Sequence, residues 1–487
     1  MSGAPDILVI GAGPHGLIAA SYLAQAGRRV AVLEAGHAAG GGCGNTVPVG
    51  EFAVPAGPQT LYALDPRVVK ELRLVRLGLK FAARDLALVG LRSENKPLTL
   101  GRDMHAAARA IAPHSPRDAL RFREIRRDLF AVARALRAVW WEEGELRDAA
   151  ARDELRRLAV TGAAAFLDAA FESPAVKAAF AFDALAGGLS PADAGSSLLL
   201  AWRAAQEMCG LQGAAAVPRG GMAALVGALA SAAQAAGAEI RTDAPVARLL
   251  ISGRSVAGVA LASGEEIAAS CVLSSLSARD TLLRLAPTGA AGFAAAGRLQ
   301  QTPQTAEAKL VLALSSAPGY AAAQPMGRFI FAERLDGAIA AHAEARAGQL
   351  PSELMLEAVA PTLFDSSLAV GNTHLLSVLV RPLPVSPVEG WSKLAPRVVE
   401  AVLSILDRYV PSLRSNVVAA NLIAPAVPKR DPLTVGHMLA GWRARIVTPV
   451  GGLYLCGEAA EPVPSLSGRA ARIAAGIALA HLKGDAR

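Results

Sequence analysis

Two hydrophobic rhythms run along this chain: short apolar runs bounded by glycine or an acid, and longer stretches whose apolar residues recur every three or four positions. The first run, Ile7-Leu8-Val9-Ile10, is uninterrupted and feeds into Gly11-Ala12-Gly13-Pro14-His15-Gly16. Leu17 to Ala26 then reads as a helix stopped by Gly27, and Arg29-Val30-Ala31-Val32-Leu33 as a second strand ending on Glu34. Together these make a βαβ unit. Gly11 permits the tight turn, Gly13 lets the backbone approach a pyrophosphate, and Gly16 lets helix and strand pack closely. The helix N-terminus offers N–H groups and the positive end of its dipole to phosphates. Glu34 is spaced to accept hydrogen bonds from ribose hydroxyls, and its charge repels a 2′-phosphate. The pattern points to a dinucleotide site, with a purely structural glycine turn as the alternative, and leaves the dinucleotide open.

Just beyond the acid, Ala39-Gly40-Gly41-Gly42-Cys43-Gly44 is a second glycine loop where backbone can meet a ligand. Val54-Pro55-Ala56-Gly57-Pro58 follows as a tight, backbone-led segment. Cys43 has two readings: a reactive thiol or covalent cofactor anchor, or simply a small residue in a tight loop. From Pro116 to Trp141, the residues Ile125, Leu129, Val132, Leu136 and Trp140 recur at helical spacing opposite an arginine-rich face. The Trp140-Trp141 pair suits either a lipid interface or packing on its own domain. Near Val217 the texture returns to α/β, and Arg219-Gly220-Gly221-Met222 opens a helix that is uncharged to Ala238 but reads as soluble. Strands are predicted from Glu239 to Arg241, Pro245 to Ile251, Val256 to Leu261 and Glu266 to Leu273. No second Gly-x-Gly-x-x-Gly occurs there, so separate flavin and nicotinamide domains are not indicated. Further strands are predicted from Ala306 to Leu314 and His374 to Arg381, and a helix from Lys393 to Tyr409. The chain closes as strand, turn and helix, through Gly457-Glu458 to Leu482, with Ser465 or Ser467 as N-cap.

Composition narrows the setting. A length of 487 residues suggests about two or three domains, and 53% hydrophobic with 5% aromatic residues is ordinary for a globular protein. A net charge of +8 favours anionic partners such as a charged cofactor or membrane surface. Nucleic acid is not among them, because no basic run is interleaved with aromatics. Cys43, Cys209, Cys271 and Cys456 form no Cys-x-x-Cys, which argues against a dithiol centre or a metal cluster and fits a reducing compartment. With no signal-peptide pattern, a cytoplasmic protein is expected, soluble or peripheral to a membrane.

The motifs, taken in order, resemble a known family. Gly11/Gly13/Gly16 with Glu34, Gly40-Gly41, Val54-Pro55-Ala56-Gly57-Pro58, Arg219-Gly220-Gly221-Met222 and Thr448-Pro449-Val450-Gly451-Gly452-Leu453-Tyr454-Leu455-Cys456-Gly457 resemble FAD-dependent phytoene desaturase-like oxidoreductases. These belong to the amine oxidase and glutathione-reductase-like flavoprotein superfamily. The resemblance implies an α/β fold with a glutathione-reductase-like Rossmann FAD-binding domain assembled from residues 1–95, 215–290 and 425–487. Beside it, 96–214 and 291–424 would form an α+β substrate domain with a helical part. FAD is implied, bound extended. Gly11, Gly13, Gly16, Gly40, Gly41 and Gly57 would allow backbone approach, Glu34 would hold the adenosine ribose, and Val246 would pair its backbone with adenine. Gly457 and Glu458 would lie near the pyrophosphate and ribityl chain, with the last helix aiming its N-terminus at the flavin.

Lys309 matches the lysine that in amine oxidases holds a water near flavin N5; a strand lysine reaching solvent is the alternative, because burying its charge is costly. Two departures stand out. Gly42 replaces an arginine seen in many relatives, and Glu461-Pro462-Val463-Pro464-Ser465-Leu466-Ser467-Gly468 replaces the glycine-rich stretch of carotenoid desaturases. The second turns the expectation away from a carotenoid.

The expected function is therefore FAD-dependent dehydrogenation or desaturation, with hydride passing from a substrate C–H to flavin N5 and electrons then to oxygen, a quinone or another acceptor. The alternatives are an amine or amino-acid oxidase, a flavin-dependent reductase or isomerase, and a non-catalytic flavin-binding protein. Lys309, His437 and Arg443 are the catalytic candidates, and no metal is called for. The substrate is expected to be a small molecule, apolar or of mixed polarity, with peripheral membrane contact and no nucleic acid.

Overall fold

The computed structural model describes residues 4–92, 96–141, 146, 148–300, 305–320, 326–425 and 433–484. Ile7–Ile10 lies at the middle of a five-stranded parallel sheet, ordered Glu239–Arg241, Val30–Leu33, Ile7–Ile10, Cys271–Ser274, Leu453–Leu455. Val9 stands opposite Val32 and Leu273. An unbroken apolar run is what a parallel strand covered on both faces requires. Successive side chains point to opposite faces. Ile7 and Val9 accordingly join a core built with the helices Pro14–Gln25, Gly221–Ala235 and Arg469–Leu482. Leu8 and Ile10 pack instead onto Leu249, Val256 and Val259 of an antiparallel sheet, Val246–Ser252, Ser255–Leu261 and Glu266–Ala268.

The single strand predicted from Glu266 to Leu273 is in fact two. Glu266–Ala268 is exposed on alternate residues and closes the antiparallel sheet, whereas Cys271–Ser274 is wholly buried and enters the parallel one. Stretches far apart in the chain thus supply neighbouring parallel strands.

A second, seven-stranded sheet runs Val417–Ile423, Ala306–Leu314, His374–Leu383, Met355–Val359, Arg328–Phe331, Leu88–Leu91, Leu98–Leu100. Leu88–Leu91, which the sequence groups with the first cofactor stretch, pairs parallel to Arg328–Phe331 and gives Val89 and Leu91 to the core of this sheet. Leu310, Leu312 and Leu314 face the helix Trp391–Asp407 through Leu394, Val398 and Val402. Val311 and Ala313 face Val49, Phe52 and Val54 of the hairpin Thr46–Val49 and Phe52–Pro55. Strand alternation puts Lys309 on this second face, towards the cofactor segment.

Ser115 caps the helix Pro116–Trp140, its Oγ accepting from the Asp118 N–H at 3.0 Å. The helix buries Phe122, Ala133, Leu136 and Trp140. Trp140 is 1% exposed and donates its indole N–H to the Met438 carbonyl at 3.2 Å. Trp141 stacks against the guanidinium groups of Arg137 and Arg469, at 4.2 and 4.0 Å. Trp140 is buried and Trp141 is partly buried against these arginines, the packing-on-its-own-domain arrangement of the two readings. No described helix is long and apolar enough to cross a membrane.

Candidate active site

A cavity of about 570 Å³ opens at the carboxyl ends of Ile7–Ile10, Val30–Leu33 and Cys271–Ser274. Open α/β sheets bind ligands in this position, and the size suits a cofactor. Gly11 leaves its strand at φ +89°, a left-handed conformation that glycine adopts without cost. A Cβ on Gly16 would lie 1.9 Å from the Gly11 carbonyl oxygen. The helix that follows sits directly on the turn, and no side chain caps it, which leaves its first N–H groups for an anion. Glu34 closes this end. Its Oε2 accepts from the Ala12 N–H at 2.7 Å and its Oε1 from the Gly36 N–H at 2.9 Å. The carboxylate is fixed on the cavity wall, with lone pairs left for ligand hydroxyls.

Gly11, Gly13, Glu34, Gly41, Val246, His437 and Glu458 line the cavity. Gly16, Gly40, Gly57 and Gly457 form the framework behind it. The Gly40 N–H donates to the Ala12 carbonyl at 2.8 Å and the Gly57 N–H to the Gly42 carbonyl at 2.5 Å. A Cβ on Gly457 would lie 2.2 Å from the Ser275 carbonyl oxygen. Ser275 escapes the sequence reading, although its Oγ donates to the Ile10 carbonyl at 2.9 Å and fills the space a Gly11 Cβ would take. The available signal is the serine pair that ends the apolar run Cys271-Val272-Leu273.

Lys309 is 8% exposed and does not line the cavity. Its ammonium donates to the carbonyls of Pro55 at 2.7 Å and Gly57 at 2.6 Å. A strap is thereby pinned between the seven-stranded sheet and the Gly40–Gly44 loop. Burial draws the Lys309 ammonium down to about 7. Burial, and then the charge of Glu458, push the Cys43 thiol up to about 12. Cys43 is a protonated small residue in a tight loop rather than a thiolate nucleophile.

His437 sits in the short helix Val435–Leu439, and its Nε2 donates to the Glu461 carbonyl at 2.8 Å. A carbonyl only accepts, so the proton is on Nε2 and Nδ1 keeps its lone pair. Burial lowers the imidazole pKa and keeps the ring neutral. Arg443 is exposed and does not line the cavity. In its helix, Trp442–Ile446, the residues Trp442, Arg445 and Ile446 fall on one face at spacings of three and four, and that face is buried. Arg445 is therefore the arginine that matters here. It donates to the Ala460 carbonyl at 3.0 Å and the His437 carbonyl at 3.3 Å, clamping the His437 helix to the turn before Glu461.

Glu461, 1% exposed, accepts from Ser467 Oγ at 2.5 Å and the Ala470 N–H at 3.0 Å, and lies 3.6 Å from His15 Nε2. Burial opposes its ionisation, but contacts with His15, Ser467 and Ala470 prevail and hold the carboxyl below its ordinary range. Neither Ser465 nor Ser467 is the N-cap of the last helix: that position is Gly468, at φ +73°, and Ser467 one residue before it accepts from the Arg469 N–H at 3.0 Å. The positive end of the last helix is thus met first by a carboxylate of the chain itself.

Residues 16–462 match the family model described as flavin containing amine oxidoreductase. The mouse pyridine nucleotide-disulfide oxidoreductase domain-containing protein 2 is 30% identical, over 98% of this chain and 94% of its own length. The phytoene dehydrogenase of Streptomyces griseus is 30% identical, over 86% of this chain and 82% of its own. Among solved structures, a putrescine oxidase shares the fold with a TM-score of 0.64 at 18% identity, covering 98% of this chain and 99% of that one. A turn with no room for a Cβ, an uncapped helix start and a fixed carboxylate suit a pyrophosphate and a ribose, and FAD is the cofactor. The chain belongs to the flavin-containing amine oxidoreductase family.

Proposed function

We propose that this protein is a dehydrogenase or desaturase, acting on a C–H bond of a small substrate of mixed polarity. FAD, held by Glu34 and the Gly11–Gly16 turn, would supply the two-electron oxidation, with oxygen, a quinone or another compound as the final acceptor. The observation that carries this reading over an amine oxidase is the engagement of Lys309. Its ammonium serves the Pro55 and Gly57 carbonyls, at 2.7 and 2.6 Å, and is not presented to the cavity. Lys309 then acts as a positioning residue, and water near the reacting atoms is not its business.

The other residues bind and orient. Glu34 and the glycine turn take the adenosine and pyrophosphate end. Glu458 bounds the cavity beside Gly41, and Leu276 and Leu433 on the wall exclude water. His437 offers a neutral Nδ1 lone pair to whatever lies against it. Anaerobic mixing of the FAD-loaded protein with isoprenoid, carboxylic-acid and amine panels, followed by flavin absorbance, tests the reading. Bleaching by a substrate that emerges with a new double bond is expected. Bleaching by amines alone, with an aldehyde and ammonia or amine as products, would overturn it.

A further inference from the structure

A pyrophosphate concentrates negative charge, and the wall of the cofactor cavity sets little positive charge against it. Among the described residues, the acidic and basic side chains on that wall are Glu34, Glu458, Arg284, His15 and His437. The Arg284 side chain is 66% exposed and lies 3.5 Å from Asp280, one helical turn before it. Gly41 and Gly42 bring backbone alone. His437 is neutral with its proton on Nε2, so the Nδ1 it leaves over accepts hydrogen bonds and has none to give a phosphate oxygen.

His15 remains. It is the second residue of the helix Pro14–Gln25, at the uncapped end whose N–H groups suit an anion. It is 8% exposed, and its Nε2 is buried with no hydrogen-bond partner. Glu461 Oε1 stands 3.6 Å from that nitrogen, just beyond hydrogen-bond reach. Among the described residues, Nδ1 has no hydrogen bond either. A buried imidazole with both nitrogens unsatisfied is costly and calls for an explanation.

Its neighbours supply one. Glu461 is 1% exposed, and its Oε1 is fixed by the Ser467 hydroxyl and the Ala470 N–H. This carboxylate stands on the Nε2 side of the ring and leaves Nδ1 for a ligand in the cavity that His15 lines.

We infer that His15 is a cationic ligand for the FAD pyrophosphate, with Glu461 behind it as a positioning residue. An imidazole set between a carboxylate and a phosphate has an acceptor for each nitrogen, donates from both and carries the positive charge that the wall otherwise lacks. The inference concerns cofactor binding and holds for any substrate the enzyme oxidises.

The test is calorimetric titration of the cofactor-free full chain with FAD, ADP, adenosine and riboflavin. His15→Ala is expected to bind FAD and ADP about tenfold or more weakly than wild type. His15→Gln, which keeps a neutral donor, should fall between the two. Glu461→Gln should weaken both ligands several-fold, and Arg109→Ala, on the exposed surface, should leave them unchanged. Adenosine and riboflavin, which carry no phosphate, should bind every folded variant as they bind wild type. Wild-type affinity for ADP in the folded His15 variants overturns the proposal. A loss of adenosine binding in step with ADP also overturns it, because His15 would then only shape the site.

Discussion

Replacing Lys309 by methionine keeps the length of the side chain and removes its amine. In the folded protein burial draws the ammonium from 10.5 to about 7. An unfolded chain holds this proton up to its ordinary pKa, whereas the folded chain begins to release it near neutrality. Between those limits the unfolded state binds more protons, so folding stability rises with pH, by about 1.4 kcal/mol per pH unit. Below them both states are charged and the slope vanishes. The methionine variant has no such slope. From about pH 7 to about pH 9 the stability advantage of wild type over Lys309→Met is therefore expected to grow by about 3 kcal/mol. Cys43 beside it, pushed up to about 12, stays protonated in the folded chain and begins to ionise in the unfolded one near pH 9, but both proteins carry it and its contribution cancels. Urea denaturation of both proteins across this series, extrapolated to water, measures the difference, and other titrating groups cancel in the comparison. A difference that stays constant with pH would refute the reasoning, because the ammonium would then be as well solvated folded as unfolded.

Other outcomes follow from the same geometry. Gly16→Ala sets a methyl group 1.9 Å from the Gly11 carbonyl; it should cost about 3 kcal/mol and abolish FAD retention on gel filtration, and a normal flavin content would contradict this. Glu461 is held below its unfolded value of 4.5, so it contributes stability above that pH that is lost as pH falls through the folded pKa. Glu461→Gln should cost about 3 kcal/mol near neutrality and flatten the acid side of the melting profile; an unchanged acid slope counts against it. Trp141→Ala removes the stacking on Arg137 and Arg469 and should cost about 3 kcal/mol, with co-sedimentation on anionic vesicles unaltered. Lost vesicle binding at full stability would restore the interfacial reading.

Gly11, Gly16 and Glu34 are legible in sequence because each answers a local demand: a turn, a close helix approach, an acid at the end of the next strand. The strand Ala306–Leu314 is equally plain, its predicted and observed bounds coinciding, because a long apolar run admits few alternatives. The partners of Lys309 are not legible. Pro55 and Gly57 lie 254 and 252 residues away and bind through carbonyls, which carry no side-chain signature. Arg443 and Arg445 are separated by the phase of a five-residue helix, too short for periodicity alone to settle which arginine is buried. The split after Ala268 depends on which sheet each half joins, and that choice is made by tertiary packing.

The central claim is that separated stretches of the chain build one FAD cleft, closed at its adenosine end by Glu34. Equilibrium titration of FAD into the cofactor-free full chain and into Glu34→Ala tests it most directly. One FAD per wild-type chain is expected, with binding weakened about tenfold or more in Glu34→Ala, which loses the ribose acceptor and leaves the Ala12 and Gly36 N–H groups without their partner. A folded wild-type chain that takes up no FAD, or a Glu34→Ala variant that binds it equally well, would contradict the claim.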